Sequence, residues 1–472
     1  MGNHQTALSR CIDAVGAGRS GFAAYPHTPL YEMRWVKPYN LDARVEPAAV
    51  VRPETSKDIA GIIACASTNK VKIQARSGGH SFANYGLGGE DGAVSIDMVN
   101  FQHFHMDNST WKATIGAGTR LGDVTDKLDE AGGRAIAHGV CPDVGLGGHA
   151  TIGGLGPMSR MWGSCLDHIL EVEVVTADGK VQRASESHNS DLFWAIRGAA
   201  GSFGVVTEFV MKTRPAPPTI IQYSYSFNFG KQSEMAPLFS KWQAIVADPK
   251  LDRRFGTEFI IMPLGAVITG TFYGTEAEYK ATGIPGRIPG GGKQGVATND
   301  WRSSLVQNAE NEALYLSKLA APFYSKSLGF KRSDMIPPDK VQKLFEWVDE
   351  TDKGTLIWFV IFSATGGATA DVAMEATSYS HRDKVMFYES YVIGVPLRSK
   401  SKNFLTKFHM KVLDYAPNGT YGTYAGYVDP GLEEGQKHYW GSNLPLLEGI
   451  KRKYDPADTF SNPQSVRPVG SL

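Results

Sequence analysis

The sequence predicts an α+β fold in which two differently patterned regions follow one another along 472 residues. In the first region, short helical and strand patterns alternate around two glycine-rich loops, "RSGGHS" (76–81) and "HGVCPDVGLGGHATIGGLG" (138–156). After the proline-rich stretch "RPAPP" (214–218), aromatic-rich alternating runs are separated by amphipathic segments. That second pattern is typical of an antiparallel sheet with helices on one face, and the prolines mark the boundary between the regions.

The elements of the first region follow from apolar spacing and turn residues. Helices are predicted at "TALSRCIDAV" and at "SKDIAGIIACASTN", the latter capped by Thr55 or Ser56. A third helix is predicted over 121–131, ending at Gly132. Strands are predicted at 71–75, 93–98 and 111–118. A hairpin turned at Asp178-Gly179, the helix "DLFWAIRG" and the strand "GVVTEFVMKT" complete the region.

The second region contains strand patterns rich in aromatic residues. They are "IIQYSYSFNF", "AVITGTFYG", "TLIWFVIF" and "KVMFYESYVI", and the segments "MAPLFSKWQAIV" and "FLTKFHMKVLDY" between them have helical spacing. We predict that "GIPGRIPGGGKQG" is a surface loop. It does not form a phosphate-binding P-loop, because Lys293 is followed by Gln294.

Composition and charge exclude several classes of partner. The chain is 42% hydrophobic and 20% charged, and its 48 basic residues balance 48 acidic ones. The net charge of the protein therefore does not favour binding to nucleic acid or to an anionic membrane. The longest apolar run, "LIWFVIF" (356–362), is too short to span a bilayer. These features predict a soluble protein whose partner is a small molecule.

The stretch "GLGGHA" (145–150) matches a dinucleotide-binding fingerprint, but its context argues against that interpretation. Cys141, Pro142 and Asp143 precede it in place of a buried strand. Two glycine loops in one region instead suggest a phosphate-bearing cofactor held by backbone N–H groups. A purely structural glycine loop is the alternative.

Three segments together carry a family resemblance. "ARSGGHSFANYG", the loop 138–156 and "DLFWAIRGAAGSFGVVTEFVMKT" resemble the FAD-binding unit of the vanillyl-alcohol-oxidase/berberine-bridge-enzyme superfamily. "HYWGSNLPLLEGIKRKYDPADTFSNPQSV" resembles the end of berberine-bridge-like oxidases. The resemblance is dense over 45–216 and 420–466. It implies a PCMH-type FAD-binding domain of two α+β subdomains (1–216), a substrate domain (217–420), and a C-terminal segment that returns to the first domain (421–472).

The resemblance also implies bicovalent FAD, with His80 bonded to the 8α-methyl group and Cys141 to C6. A loop without side-chain bulk would let a thiolate approach the ring. Alternatives are a metal ligand or polar loop residue for His80, and a buried inert thiol or half a disulfide for Cys141. The further cofactor-binding residues that the resemblance implies are Arg76, Ser77, Gly78, Gly79, Ser81, Pro142, Gly145, Gly147, Gly148, Gly154, Val206, Asn462 and Gln464.

The remaining cysteines bear on the compartment. By the same resemblance, Cys11 and Cys65 stand where this branch commonly has a disulfide, and Cys165 is expected to be a buried thiol. A disulfide and the sequons at Asn108 and Asn418 favour secretion, although "MGNHQTALSR" contains no apolar signal segment. We expect no metal site, since the two histidines of "HFH" lack further nearby ligands.

The resemblance places candidate catalytic residues at Tyr427 and Tyr424 of "YAGYVDP", and at Glu389. Glu389 stands where sugar oxidases have glutamine and berberine bridge enzyme has its glutamate base. Ser363 replaces the aspartate that activates the tyrosine in sugar oxidases, and Phe82 replaces a tyrosine in the substrate pocket. The alternatives are two packing tyrosines and a solvated strand glutamate.

The missing aspartate favours a secondary metabolite as the substrate. We therefore predict an oxidase that removes a hydride from an alcohol, amine or C–H group to flavin N5, with O₂ as acceptor and a monomeric state. The first alternative is an oligosaccharide oxidase that gives a lactone and H₂O₂. The second is a flavin-loaded protein with little turnover.

Overall fold

A computed structural model of the chain describes residues 6–288, 292–311, 320–417 and 422–470. It confirms the α+β class. The helices are α1 (Ala7–Gly16), α2 (Ser56–Thr68), α3 (Leu121–Glu130), α4 (Leu146–Ile152), α5 (Ser159–Trp162), α6 (Ser190–Ala199), α7 (Ala236–Val246), α8 (Glu276–Ala281), α9 (Ile284–Arg287), α10 (Trp301–Asn311), α11 (Pro338–Glu350), α12 (Ser399–Tyr415), α13 (Gly435–Trp440) and α14 (Leu444–Tyr454).

The strands fall into three larger sheets and one short pair. In chain order they are β1 (Ala23–Ala24), β2 (Ala49–Val51), β3 (Ile73–Arg76), β4 (Val94–Asp97), β5 (Phe104–Asp107), β6 (Lys112–Gly116), β7 (Arg134–Ala135), β8 (Ile169–Thr176), β9 (Val181–Ser185), β10 (Gly204–Lys212), β11 (Arg214–Pro215), β12 (Ile220–Asn228), β13 (Phe255–Met262), β14 (Gly265–Tyr273), β15 (Lys293–Asn299), β16 (Phe323–Lys331), β17 (Ile357–Ala364) and β18 (Lys384–Ile393).

The first region contains two of the larger sheets. One has the order β1-β2-β4-β3, with β2, β4 and β3 parallel, and the other is antiparallel with the order β5-β6-β10-β8-β9. Helix α2 begins as the sequence predicts, because the Thr55 side chain accepts the Asp58 N–H in a capping box. The predicted disulfide joins Cys11 on α1 to Cys65 on α2.

The second region forms an antiparallel sheet with the order β15-β12-β14-β13-β17-β18-β16. Helices α7, α11 and α12 bury their apolar faces on one side of it, in a core rich in Phe, Trp and Tyr. Three residues on the opposite side stand in register on neighbouring strands: Thr269 of β14 pairs with Glu258 of β13, which pairs with Ser363 of β17. This polar row faces the first region.

The structure corrects part of the loop prediction at 283–295. Ile284–Arg287 forms a helical turn, and a strand begins at Lys293 and pairs with β12 at the edge of the sheet. The glycines and polar residues of that stretch give no strand pattern in the sequence, because an edge strand needs no apolar face. Strands β13 and β16 and helix α11 are further elements absent from the prediction.

The C-terminal residues return to the core of the first region. Leu447 of α14, Phe460 and Val466 are buried there with residues of α2 and β10. The ammonium group of Lys451 is fully buried and donates to the Ser202 carbonyl (2.7 Å), the Phe460 carbonyl (2.9 Å) and Asp455 (2.6 Å). The domain boundaries at 216 and 420 stay predictions.

Two surface features bear on the compartment. No helix of the described ranges has both the length and the apolarity that a membrane crossing requires. Asn108 is exposed in the turn after β5, whereas Asn418 lies outside the described residues.

Candidate active site

A cavity of about 430 Å³ lies between the first region and the polar side of the seven-stranded sheet. Its walls come from both glycine loops, from strands β13, β14, β17 and β18, and from the C-terminal segment around 424–428 and 462–465. The predicted residues that line it are Arg76, Ser77, Gly78, Gly79, His80, Ser81, Phe82, Cys141, Gly145, Gly148, Ser363, Glu389, Tyr424, Tyr427, Asn462 and Gln464.

The two glycine loops touch along their backbones. A Cβ atom added at Gly78 would lie 2.3 Å from the Gly145 nitrogen, and one added at Gly145 would lie 2.1 Å from the Gly78 nitrogen. Glycine is therefore required at both positions for the loops to meet. A Cβ atom at Gly148 would meet nothing within 4 Å, so this part of the wall is open backbone. The contact between the loops brings His80 and Cys141 to one cavity.

His80 is a neutral imidazole in this environment. Burial lowers its pKa to about 4, and its ring packs against that of Tyr39 with centroids 4.6 Å apart. Cys141 is partly buried, lies outside the disulfide and lines the cavity. Cys165 is the buried thiol that the sequence predicts, and burial raises its pKa.

Four predicted cofactor-binding residues do not line the cavity. Gly147 donates its N–H to the Ala117 carbonyl (3.0 Å), and Gly154 donates to the Tyr424 hydroxyl (2.9 Å), so both support the loop from behind. Pro142 packs on Gly122, and Val206 is buried within β10.

Two lining residues use their polar groups within the protein. The Arg76 guanidinium binds Asp97 (2.9 Å) and the carbonyls of Trp35 and Val36. The Gln464 amide accepts from the Tyr85 (2.9 Å) and Tyr439 (3.1 Å) hydroxyls and donates to the Asp429 carbonyl (2.8 Å). These hydrogen bonds hold both side chains in the walls of the cavity. The ion pair with Asp97 neutralises the charge of Arg76.

Glu389 faces the cavity from β18. The pKa of its carboxyl is raised to about 8, mainly by burial; a hydrogen bond from the Tyr391 hydroxyl lowers the pKa, and the nearby Glu258 raises it. A carboxyl with that pKa can take up and release a proton near neutral pH.

Tyr424 and Tyr427 approach the cavity from the C-terminal segment. The Tyr424 hydroxyl accepts the Gly154 N–H, and burial raises its pKa, so Tyr424 remains protonated. The Tyr427 ring stacks on Phe82 with centroids 6.5 Å apart and meets Tyr424 edge-on at 5.1 Å.

Among the residues of this cavity that the sequence analysis missed are Tyr39, Glu258 and Tyr391. The Ser363 hydroxyl donates to Glu258 (2.9 Å), so a carboxylate lies beside the position where the sequence shows none. Tyr391 follows Glu389 by two residues and therefore shares its strand face, a signal that alternation could have supplied. No sequence signal points to Tyr39 or to Glu258, which lies 105 positions from Ser363.

Family comparisons agree with this architecture. Residues 47–185 match the FAD-binding domain family, and residues 423–467 match the "berberine and berberine like" family. An FAD-linked oxidoreductase of Penicillium rubens is 36% identical, covering 98% of this chain and 99% of the relative. A carbohydrate oxidase of Microdochium nivale is 31% identical over 98% of this chain and 95% of the relative.

The chain belongs to the berberine bridge enzyme-like FAD-linked oxidoreductases. Solved structures of other members superimpose closely on it. A chitooligosaccharide oxidase has a TM-score of 0.89 at 30% identity over 98% of this chain and 100% of that chain. A glucooligosaccharide oxidase of Acremonium strictum, described as carrying a 6-S-cysteinyl, 8α-N1-histidyl FAD, has a TM-score of 0.89 at 28% identity over 99% and 100%.

Membership in the berberine bridge enzyme-like family makes this chain an FAD-dependent oxidase that acts on a small molecule. The cavity fits such a cofactor. Open backbone at Gly148 and the close approach of the two loops offer N–H groups without side-chain bulk, as a pyrophosphate requires. His80 and Cys141 place an imidazole and a thiol on the same cavity.

Proposed function

We propose that this oxidase acts on a hydroxyl group of a saccharide or similar polyhydroxylated substrate and forms a carbonyl, as in a lactone. The observation that carries this proposal is the polar row Thr269–Glu258–Ser363, which stands in register across three strands on the cavity side. Neighbouring hydroxyl and carboxylate groups can exchange hydrogen bonds with several hydroxyl groups of one ligand. The aromatic rings of Phe82 and Tyr391 close the other side of that surface.

This proposal differs from the prediction of a secondary metabolite made from the sequence. That prediction depended on Ser363 as a lost carboxylate, and Glu258 supplies a carboxylate beside it. Relatives named as carbohydrate and oligosaccharide oxidases also align over most of the chain. The saccharide alternative is therefore the better supported of the two.

Conversion of a CH–OH group to a carbonyl removes a hydride and a proton. FAD, when bound, supplies the hydride acceptor, and O₂ is the proposed final oxidant, leaving as H₂O₂. We assign the hydroxyl proton to the Glu389 carboxylate, with Tyr427 beside it as a contact for the substrate. Phe82 and Tyr391 exclude water from this end of the cavity.

We further propose that the cofactor is attached through both His80 and Cys141. The neutral state of the His80 imidazole supports a nucleophilic role, since its pKa of about 4 leaves one ring nitrogen with a free lone pair at physiological pH. The doubly linked FAD of the glucooligosaccharide oxidase is consistent with this assignment. We propose a monomer, and the Cys11–Cys65 disulfide supports an oxidising compartment.

A second candidate substrate is an aromatic secondary metabolite. An aromatic cluster is centred on Phe82. Its ring centroid lies between 5.4 and 6.3 Å from the ring centroids of Tyr39, Phe323 and Tyr391. Such a cluster can stack on a planar ligand.

Anaerobic mixing of the FAD-loaded enzyme with substrate panels separates these possibilities. We expect cello-, xylo- or chito-oligosaccharides to bleach the flavin absorption band, and aerobic turnover to release H₂O₂. Bleaching by phenolic alcohols or benzylic amines, with none by saccharides, would overturn the saccharide assignment. An absence of bleaching by either panel would favour a protein with little turnover.

A further inference from the structure

Tyr391 is held in one position beside Glu389. Both residues lie on the cavity face of β18, two residues apart, and the Tyr391 hydroxyl donates to Glu389 Oε2. The Tyr391 ring packs against Phe359 with centroids 4.8 Å apart and meets Phe82 edge-on at 5.5 Å. These ring contacts leave the hydroxyl directed at the carboxyl group of Glu389.

A second carboxylate is fixed on the same face of the sheet. Glu258 of β13 stands opposite Ser363 of β17, whose hydroxyl donates to it at 2.9 Å. On the next strand, Glu389 pairs with Ile361, which precedes Ser363 by two residues on the same face. The two carboxyl groups thus lie on the two strands that flank β17, offset by two residues along it. The negative charge of Glu258 raises the pKa of Glu389.

We propose that Tyr391 and Glu258 are positioning residues that act on Glu389 in opposite directions. The Tyr391 hydroxyl stabilises the ionised form of Glu389, and the Glu258 carboxylate stabilises the protonated form. This inference rests on the proposed function, in which Glu389 receives the substrate proton. It adds a mechanism that matches the proton affinity of that acceptor to the working pH.

The other titratable groups of this part of the cavity are three phenols and, beyond Tyr39, the neutral His80 imidazole and the Cys141 thiol. Tyr39 approaches from the segment before α2, and Tyr424 and Tyr427 approach from the C-terminal segment. Burial raises the pKa of Tyr39 and Tyr424 above 10, so both stay uncharged at neutral pH. Among these neighbours, Glu258 is the second carboxyl group.

Burial is the main reason that the pKa of Glu389 rises to about 8, and the two neighbours modify that value with opposite signs. A hydrogen bond to a carboxylate lowers its pKa, whereas a nearby like charge raises it. Tyr391→Phe should therefore move the titration of Glu389 to higher pH. Glu258→Gln should move it to lower pH. A merely structural role for either residue predicts no such pair of opposite shifts.

The test is an infrared pH titration of the FAD-loaded, oxidised enzyme without substrate. The carboxylic C=O band that disappears in Glu389→Gln belongs to Glu389, and its midpoint is then followed in the two variants. We expect an upward shift of about one pH unit in Tyr391→Phe and a downward shift of about one unit in Glu258→Gln. The controls are Tyr324→Phe, whose hydroxyl contacts Thr406 away from the cavity, and Glu346→Gln on helix α11.

Unchanged midpoints, or shifts of the same sign in both variants, would overturn the inference. Retention of the flavin absorption spectrum and of circular dichroism identifies folded variants, and each folded variant tests its own half of the inference. The titration needs no turnover, so it remains decisive even if no saccharide reduces the flavin. If a saccharide does so, the kcat/KM–pH profiles should shift with the infrared midpoints.

Discussion

The Ser363 hydroxyl donates a 2.9 Å hydrogen bond to Glu258 on the neighbouring strand, and this pair faces the cavity. A carboxyl group that one strand lacks is thus supplied by another, 105 positions earlier in the chain. The proposed substrate surface therefore combines a carboxyl group with several hydroxyl groups. That surface favours a polyhydroxylated ligand over an apolar one.

Flavin attachment is the first prediction. Because His80 and Cys141 lie on the same cavity, His80→Ala and Cys141→Ala should each retain the flavin through one remaining bond. After acid precipitation, the colour should stay in the pellet for both single variants and move to the supernatant for the double variant. Cys165→Ala, which removes a buried thiol, serves as the control. Colour in the supernatant of the unmodified protein would refute covalent attachment.

Replacement of the proposed proton acceptor is the second prediction. Glu389→Gln keeps the shape of the side chain but cannot take up the substrate proton, so kcat/KM should fall by about 10²- to 10⁴-fold. Anaerobic stopped-flow measurement of flavin reduction detects this effect directly. If the flavin is reduced as fast as in the unmodified enzyme, another residue is the base, and Tyr427 is the first candidate.

The pH dependence of the unmodified enzyme is the third prediction. In the proposed mechanism the carboxylate form of Glu389 is the active one, and burial raises the pKa of this carboxyl to about 8. Since deprotonation activates the enzyme, kcat/KM should increase by about tenfold per pH unit below the pKa of Glu389. Above that pKa it should reach a plateau. Steady-state assays of H₂O₂ release from pH 6 to 10 measure the profile. A profile that declines between pH 7 and 9 would contradict the assignment.

The disulfide should stabilise the pair of helices at the N-terminus. It joins Cys11 to Cys65 across 54 positions, so its loss frees a long loop in the unfolded chain. We expect the double variant Cys11→Ala/Cys65→Ala to lose about 2–5 kcal/mol in the free energy of unfolding. Denaturant titration under oxidising conditions measures this loss. An unchanged midpoint would show that α1 and α2 are held by packing alone.

The buried Lys451 gives a fifth prediction. Lys451→Met leaves Asp455 buried without its cation and should cost about 3–5 kcal/mol. Lys453→Met is a matched control two positions away, because Lys453 is 60% exposed and pairs with Asp191 at the surface, a contact worth about 0–1 kcal/mol. Equal denaturation midpoints for the two variants would contradict the role assigned to Lys451.

Much of the fold can be predicted from local patterns in the sequence. The capping box of α2 and the Gly132-Gly133 end of α3 are determined within a few residues, and the structure confirms both. The strand β15 escapes the same reasoning, because Lys293–Asn299 is stabilised by its partner β12 rather than by its own pattern. The helix α11, which the prediction lacks, differs from β15 because its apolar residues recur at helical spacing and are a local signal.

The residues of the candidate site also differ in whether the sequence predicts them. His80 and Cys141 can be recognised because their motifs surround them in the sequence. The contact between Gly78 and Gly145 explains those motifs physically, since each glycine leaves room for the backbone of the other loop. Glu258 and Tyr39 could not be found, because a cross-strand register and a ring contact between distant segments leave no local trace.

The return of the C-terminal residues to the first region has a consequence for biosynthesis. Tyr85 bonds to Gln464 across 379 positions, and the β3 residue Ile73 donates its N–H to the Thr459 carbonyl at 2.9 Å. This wall of the cavity can therefore close only after the ribosome has synthesised the chain through residue 464. We expect that removal of the segment 459–464 would leave the N-terminal side of the cavity exposed to chaperones and proteases.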